Sequence, residues 1–236
     1  MPETAMVLAA GLGKRMRPLT NDRPKPLVEV AGAALLDHAL ARVAQAGVRR
    51  AVVNVHYMAE RIEAHLAAGR QGLDIALSDE RAALLETGGG VANALPLIAG
   101  DPFFVLNSDN LWVDGPRPAL GELARAWDGA AMDALLLVVP YAGATGYEGQ
   151  GDFRMEADGR LARRAEGRLA PYVFTGVQLL SRRLFDGIAV EPFSLNRVYD
   201  RALADGRLFG LAYGGLWFHV GTPAALAEAE AVLAVA

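Results

Sequence analysis

Near its start the chain reads Met6-Val7-Leu8-Ala9-Ala10, then Gly11-Leu12-Gly13-Lys14-Arg15-Met16-Arg17-Pro18-Leu19-Thr20, then Pro24-Lys25-Pro26. A short apolar run that ends in small residues and glycines reads as a buried strand entering a loop. Gly11 and Gly13 let backbone N–H groups approach an anion closely, and Lys14, Arg15, Arg17 and Lys25 surround them with positive charge. On the two glycines alone, a plain turn with solvated basic side chains is an equal reading, because G-x-G is a short motif. A dinucleotide loop fits poorly: Met16 stands where a third glycine belongs, and Pro18, Pro24 and Pro26 obstruct the helix that should follow. A Walker loop is excluded, since no G-x-x-x-x-G-K-S/T occurs. A triphosphate held by backbone and local basic side chains is the guest this stretch suits.

Outward from this loop, short apolar runs alternate with helical patterns. Strands are expected at Met6–Ala10, Ala51–Val55, Ile75–Leu77, Phe103–Leu106 and Leu135–Val139. Between the first two, Leu35, Leu36, Ala39, Leu40, Val43 and Ala44 fall on one helical face, and Gly47 is placed to end that helix. Further helices are expected over about 58–68, 90–97 and 117–127. Thr222 and Pro223 form the start of a last one. Strand-helix-strand repetition implies a mostly parallel sheet covered on both faces, with ligands at the carboxyl ends of the strands. From 142 to 180 the rhythm turns to short, glycine-punctuated pieces, read as hairpins of a small lobe. The expected organisation is one unit over 1–236, with about 1–140 on the nucleotide side and 141–236 on the acceptor side.

Composition narrows the classes. The 236 residues are 53% hydrophobic and 21% charged, as in a globular α/β chain. A formal charge of −4 without a Lys/Arg run argues against a nucleic-acid partner. There is no cysteine, which removes disulfides, cysteine-based zinc sites and thiol catalysis together. With no apolar stretch long enough to span a bilayer and no signal-peptide pattern, no membrane is expected and a cytoplasmic location is the default. Nothing in the pattern speaks to oligomeric state.

The run Ala9 to Met16 with Pro18-Leu19-Thr20 and Pro24-Lys25-Pro26 resembles the signature of the sugar-phosphate nucleotidylyltransferases, or nucleotide-sugar pyrophosphorylases, and later motifs extend the resemblance over nearly the whole chain. It implies a Rossmann-like, mostly parallel mixed sheet flanked by helices, the GT-A-like nucleotidyltransferase fold, with a small sugar-binding lobe. It implies that Ala10, Gly11, Leu12 and Gly13 wrap the triphosphate, that Arg15 holds the leaving pyrophosphate, and that Lys25 neutralises the reacting phosphates. Leu85-Glu86-Thr87-Gly88-Gly89-Gly90 corresponds to the loop that lies against the base, with Gly88 as bare backbone beneath it. Glu80 is a candidate for facing the base, a solvated loop carboxylate being the alternative. Asp109, at the end of Phe103-Phe104-Val105-Leu106-Asn107-Ser108-Asp109-Asn110, matches the family's metal-binding carboxylate, suited to Mg²⁺ bridging phosphates. Asn110 is then placed to bond a sugar hydroxyl.

On the acceptor side Gly151, Glu166 and Thr175-Gly176 match sugar-phosphate positions, and Asn196 is a lesser candidate. The family usually carries a lysine after this glutamate, whereas here Gly167 and Arg168 follow. Trp217-Phe218-His219-Val220-Gly221-Thr222-Pro223 resembles the second metal motif, W-x-D-V-G-T-P, with His219 in place of aspartate. An imidazole suits magnesium poorly, so either Asp109, phosphates and water hold the ion, or manganese is accepted more readily. His38, His56 and His65 belong to no motif and read as structural or solvated.

The reaction the resemblance implies is in-line attack of a sugar-1-phosphate oxygen on the α-phosphorus of a nucleoside triphosphate. A phosphate monoester is mostly the dianion at neutral pH and requires no general base, which suits the absence of any Ser-His-Asp or Cys-His pattern. The base loop and the V-G-T-P ending look most like the subfamily acting on UTP and N-acetylmuramate 1-phosphate. The alternatives are mannose-1-phosphate guanylyltransferases, glucose-1-phosphate uridylyl- or thymidylyltransferases and, from another class, a non-catalytic nucleotide-binding homologue.

Overall fold

Strand β1 (Thr4–Leu8) starts two residues before the expected run and ends two before it. Thr4 belongs because it is fully buried and its hydroxyl both donates to Ala99 O and accepts from Ala99 N, each at 3.0 Å. The strand stops at Leu8 because the Ala9 amide turns to the side chain of Asn54, donating to its Oδ1 at 2.7 Å. The computed structural model describes residues 1–69 and 72–234, so residues 70, 71, 235 and 236 of the expected 1–236 unit lie outside it.

After β1 come the small hairpin β2 (Glu29–Val30) and β3 (Ala33–Ala34), α1 (Leu35–Gln45), β4 (Arg50–Val55), α2 (Ala59–Ala68) and β5 (Asp74–Asp79). Then follow α3 (Glu86–Ala94), β6 (Phe103–Asn107), β7 (Asn110–Val113), α4 (Ala119–Ala126), β8 (Ala134–Pro140) and β9 (Ala144–Thr145). The chain continues through β10 (Phe153–Met155), β11 (Leu161–Arg163), β12 (Tyr172–Leu180), α5 (Asn196–Ala204), β13 (Leu208–Ala212), β14 (Leu216–His219) and α6 (Pro223–Leu233).

The main sheet runs β11-β10-β12-β6-β1-β4-β5, with β8 also on β12 and β13 on β8. Strands β6, β1, β4 and β5 are parallel, as are β8 and β13, while β12 is antiparallel to both β6 and β8. The sheet is therefore mixed, as expected. The alternation of β1 sorts the core: Met6 packs with Val91 of α3 and Val198 of α5, whereas Ala5 and Val7 face the side covered by α4, α1 and α2. Truncating one of the fully buried core aromatics such as Phe104 to alanine would cost about 3–5 kcal/mol.

Two expectations are corrected. The helix expected from residue 90 begins at Glu86, so Gly88, Gly89 and Gly90 lie inside α3. The reason is packing: an added Cβ on Gly88 would overlap the Phe193 ring, and one on Gly89 would overlap Glu191 O. The second concerns 142–180, which does contain the β10–β11 hairpin but ends in β12, a central strand of the main sheet. The last helix starts as expected, with Thr222 Oγ1 accepting from Ala225 N at 3.2 Å, a cap worth about 1 kcal/mol. Among the described residues no helix is long and apolar enough to cross a membrane.

Candidate active site

The loop leaving β1 is held from below and left open above. Ser108 Oγ donates to Leu8 O at 2.7 Å, and Thr20 Oγ1 donates to Gly13 O at 2.9 Å. Gly13 has φ 62°, and a Cβ there would lie 2.9 Å from Lys25 Cβ, so both conformation and crowding require glycine. Gly11 is different: an added Cβ would meet no protein atom within 4 Å. The protein's own packing does not require glycine at 11, and the space is free for a ligand. The amides of Gly11, Leu12 and Gly13 find no acceptor among the described residues, which leaves them free for an anion.

Asp109 sits in the turn between β6 and β7, and Lys25 reaches it from the turn before β2. Lys25 Nζ donates to Asp109 Oδ2 at 2.6 Å, with the two side chains 12% and 24% exposed. Burial by itself would push the Asp109 carboxyl up; the charges of Lys25 and His219 and the Lys25 hydrogen bond outweigh it and hold the group below the ordinary range. Ala10, Gly11, Lys25 and Asp109 together wall one cleft of about 230 Å³, closed by Asn54, Leu84, Glu86, Thr87 and Asn107. The N-terminal glycine loop and the later carboxylate thus face one another.

β7 and β14 pair so that His219 lies opposite Asn110. His219 Nδ1 is 3.2 Å from Asn110 Oδ1; an amide oxygen only accepts, so Nδ1 carries the proton and Nε2 keeps its lone pair. Burial lowers the His219 pKa, and Lys25 and Arg15 lower it further against the opposing pull of Asp109 and Glu148. Arg15 is exposed and lies within electrostatic reach of His219, but neither side chain lines the cleft itself. Among the described residues no group of three or more His, Cys, Asp or Glu side chains gathers to form a protein-only metal cage.

Several expected residues do other work. Glu80 is not a solvated loop carboxylate: it is 2% exposed, and its two oxygens accept from Asn54 Nδ2 at 2.7 Å and Leu85 N at 3.1 Å. Gly88 is buried in α3, its amide donating to Phe193 O at 2.8 Å; the cleft is lined by Leu84, Glu86 and Thr87 instead. Thr175 is fully buried, donating to Leu137 O at 2.8 Å and accepting from Val177 N at 3.2 Å where the β12–β8 register shifts. Asn110 is also buried, its amide filling the space against Gly176. Gly151 has φ 78° and packs against Ala170 O. Asn196 Oδ1 accepts from Arg163 Nη1 at 3.0 Å on the exposed start of α5. Glu166 and Arg168 stand exposed on the loop between β11 and β12. Asn54 and Ser108 were missed; a polar residue inside Val52-Val53-Asn54-Val55 was the available signal.

A glycine loop with free amides at the carboxyl end of a central parallel strand faces a lysine-carboxylate pair, the arrangement that a nucleotidyltransferase requires. A family model described as nucleotidyl transferase matches residues 4–234, and the chain belongs to that family. It is 48% identical to the N-acetylmuramate alpha-1-phosphate uridylyltransferase of Caulobacter vibrioides, over 100% of this chain and 98% of that one. Identity to the enzyme of the same description from Neisseria meningitidis serogroup B is 38%, over 97% of each chain. The solved structure of HddC from Yersinia pseudotuberculosis superposes with a TM-score of 0.80 at 21% identity, covering 99% of this chain and 100% of that one, a likeness of fold.

Proposed function

We propose that the chain transfers a uridylyl group from UTP to N-acetylmuramate 1-phosphate, releasing pyrophosphate. The observation that carries this reading is the Lys25–Asp109 pair at 2.6 Å in the cleft that also opens onto Gly11. The full-length similarity to two enzymes of that description supports the choice of substrates.

In this reading the loop amides of Gly11, Leu12 and Gly13 bind the triphosphate, Arg15 draws the pyrophosphate away, and Lys25 neutralises charge at the α-phosphate. Positioning two anions that repel one another is the main catalytic task. The donor set fits a hard divalent ion shared with substrate: one carboxylate, Asp109, beside a cleft open to phosphate oxygens and water. Magnesium held by Asp109 would neutralise phosphate charge there, with manganese as the alternative ion. His219, its Nδ1 engaged by Asn110, offers Nε2 to a phosphate or water at the rim. Glu166 and Arg168, exposed on the loop between β11 and β12, are the acceptor-side candidates for sugar hydroxyls and phosphate.

The test is pyrophosphate release with UTP, GTP, dTTP and CTP against a panel of sugar 1-phosphates. UTP with N-acetylmuramate 1-phosphate is expected to give the highest kcat/KM. A preference for GTP with mannose 1-phosphate, or silence across the panel, contradicts the reading.

A further inference from the structure

The third glycine of α3 makes room for something. An added Cβ on Gly90 would lie 2.6 Å from Glu80 Oε1 and 2.9 Å from Asn54 Nδ2, two side chains that are each 2% exposed. From that pair a directed chain of hydrogen bonds runs to the cleft. Leu85 N donates to Glu80 Oε2 at 3.1 Å, Asn54 Nδ2 donates to Glu80 Oε1 at 2.7 Å, and Ala9 N donates to Asn54 Oδ1 at 2.7 Å. The polarity is forced, because a carboxylate with two N–H groups aimed at it only accepts; Asn54 must then turn its amide to Glu80 and its oxygen to Ala9. No arginine or lysine pairs with Glu80 among the described residues, so its burial rests on these hydrogen bonds. Ala9 and Asn54 line the cleft, as does Leu84 beside Leu85, whereas Glu80 does not.

We propose that Glu80 is a positioning residue for the nucleotide, fixing the Ala9 end of the anion loop through Asn54 and the opposite wall through Leu85, without touching the nucleotide. This rests on reading the cleft as the nucleotide site. Glu80→Gln presents one acceptor and one donor where two donors converge, so one contact is lost. Asn54→Asp sets two acceptors against each other. The double variant E80Q/N54D restores every bond: the new glutamine accepts from Leu85 N and donates to the new aspartate, which still accepts from Ala9 N.

The experiment measures, for the wild type, both single variants and the double, UTP affinity by calorimetry, KM for each substrate, kcat, base preference and Tm. Each single variant is expected to weaken UTP binding and raise its KM about tenfold, with KM for the sugar phosphate within about twofold, and the double variant to lie nearer wild type than either single. Unchanged UTP affinity and KM in E80Q alongside a lowered Tm, or a double variant no better than the singles, overturns the proposal. So does a changed order of preference among UTP, CTP and GTP in E80Q, which would make Glu80 a reader of the base. A wild type that binds UTP but does not turn over contradicts the proposed function alone.

Discussion

Lys25 and Asp109 are 84 positions apart in the chain and meet at 2.6 Å, the lysine arriving from the turn before the β2–β3 hairpin and the aspartate from the turn after β6. The pair has a consequence for pH. The Asp109 carboxyl is held below its unfolded value in the folded state, so its contribution to stability is fully present above the unfolded pKa of about 3.9 and is lost as pH falls through the depressed folded value. Removing the lysine leaves burial less opposed. Denaturant midpoints between about pH 6 and pH 3 are expected to show Lys25→Met losing its stability difference from wild type as the solution is acidified.

Two glycines separate ligand space from packing space. Gly11→Ala adds a methyl that meets no protein atom within 4 Å, so Tm should hold within the scatter of surface substitutions, while KM for the nucleotide rises at least about fivefold. Gly88→Ala drives a methyl into the Phe193 ring and within 2.9 Å of Phe193 O, and is expected to lower stability by about 1–3 kcal/mol. Thermal melts and KM measured on both variants check the contrast.

Thr175→Val keeps the shape and removes a hydroxyl that donates to Leu137 O and accepts from Val177 N. The expected result is a loss of about 1–3 kcal/mol in stability with KM for the sugar phosphate unchanged. A raised KM at unchanged stability would restore Thr175 to the sugar site.

His219→Asp places a carboxylate where Lys25 and Arg15 already disfavour a positive charge. Activity supported by magnesium should be kept or raised, and the ratio of magnesium- to manganese-supported rates should increase, since oxygen donors suit magnesium better than an imidazole. Rates with each metal at saturating substrates check this.

The parallel strands and the open glycine loop after the first of them were legible because apolar runs and a glycine-basic pattern are local signals. Strand ends were less so: β1 stops at Leu8 because of an acceptor on Asn54, which no window around Ala9 contains. The triple glycine likewise answers to distant groups. Glycines 88 to 90 suggest bare backbone beneath a base, but they admit Phe193, Glu191 and Glu80, groups brought in by tertiary packing. Polar residues near a motif, such as Thr175 and Asn110, suggest a ligand; burial and β12's central place in the sheet give these two protein partners first. The Lys25–Asp109 facing was legible only through the resemblance, since no local pattern joins a turn before β2 to a turn after β6.

The most direct test is initial-rate pyrophosphate release from UTP and N-acetylmuramate 1-phosphate by the wild type, Lys25→Met and Asp109→Asn. Wild-type turnover, with kcat reduced at least about tenfold in each variant while both stay folded, is the predicted result. Wild-type rates in either variant would contradict the claim that this pair carries the reaction.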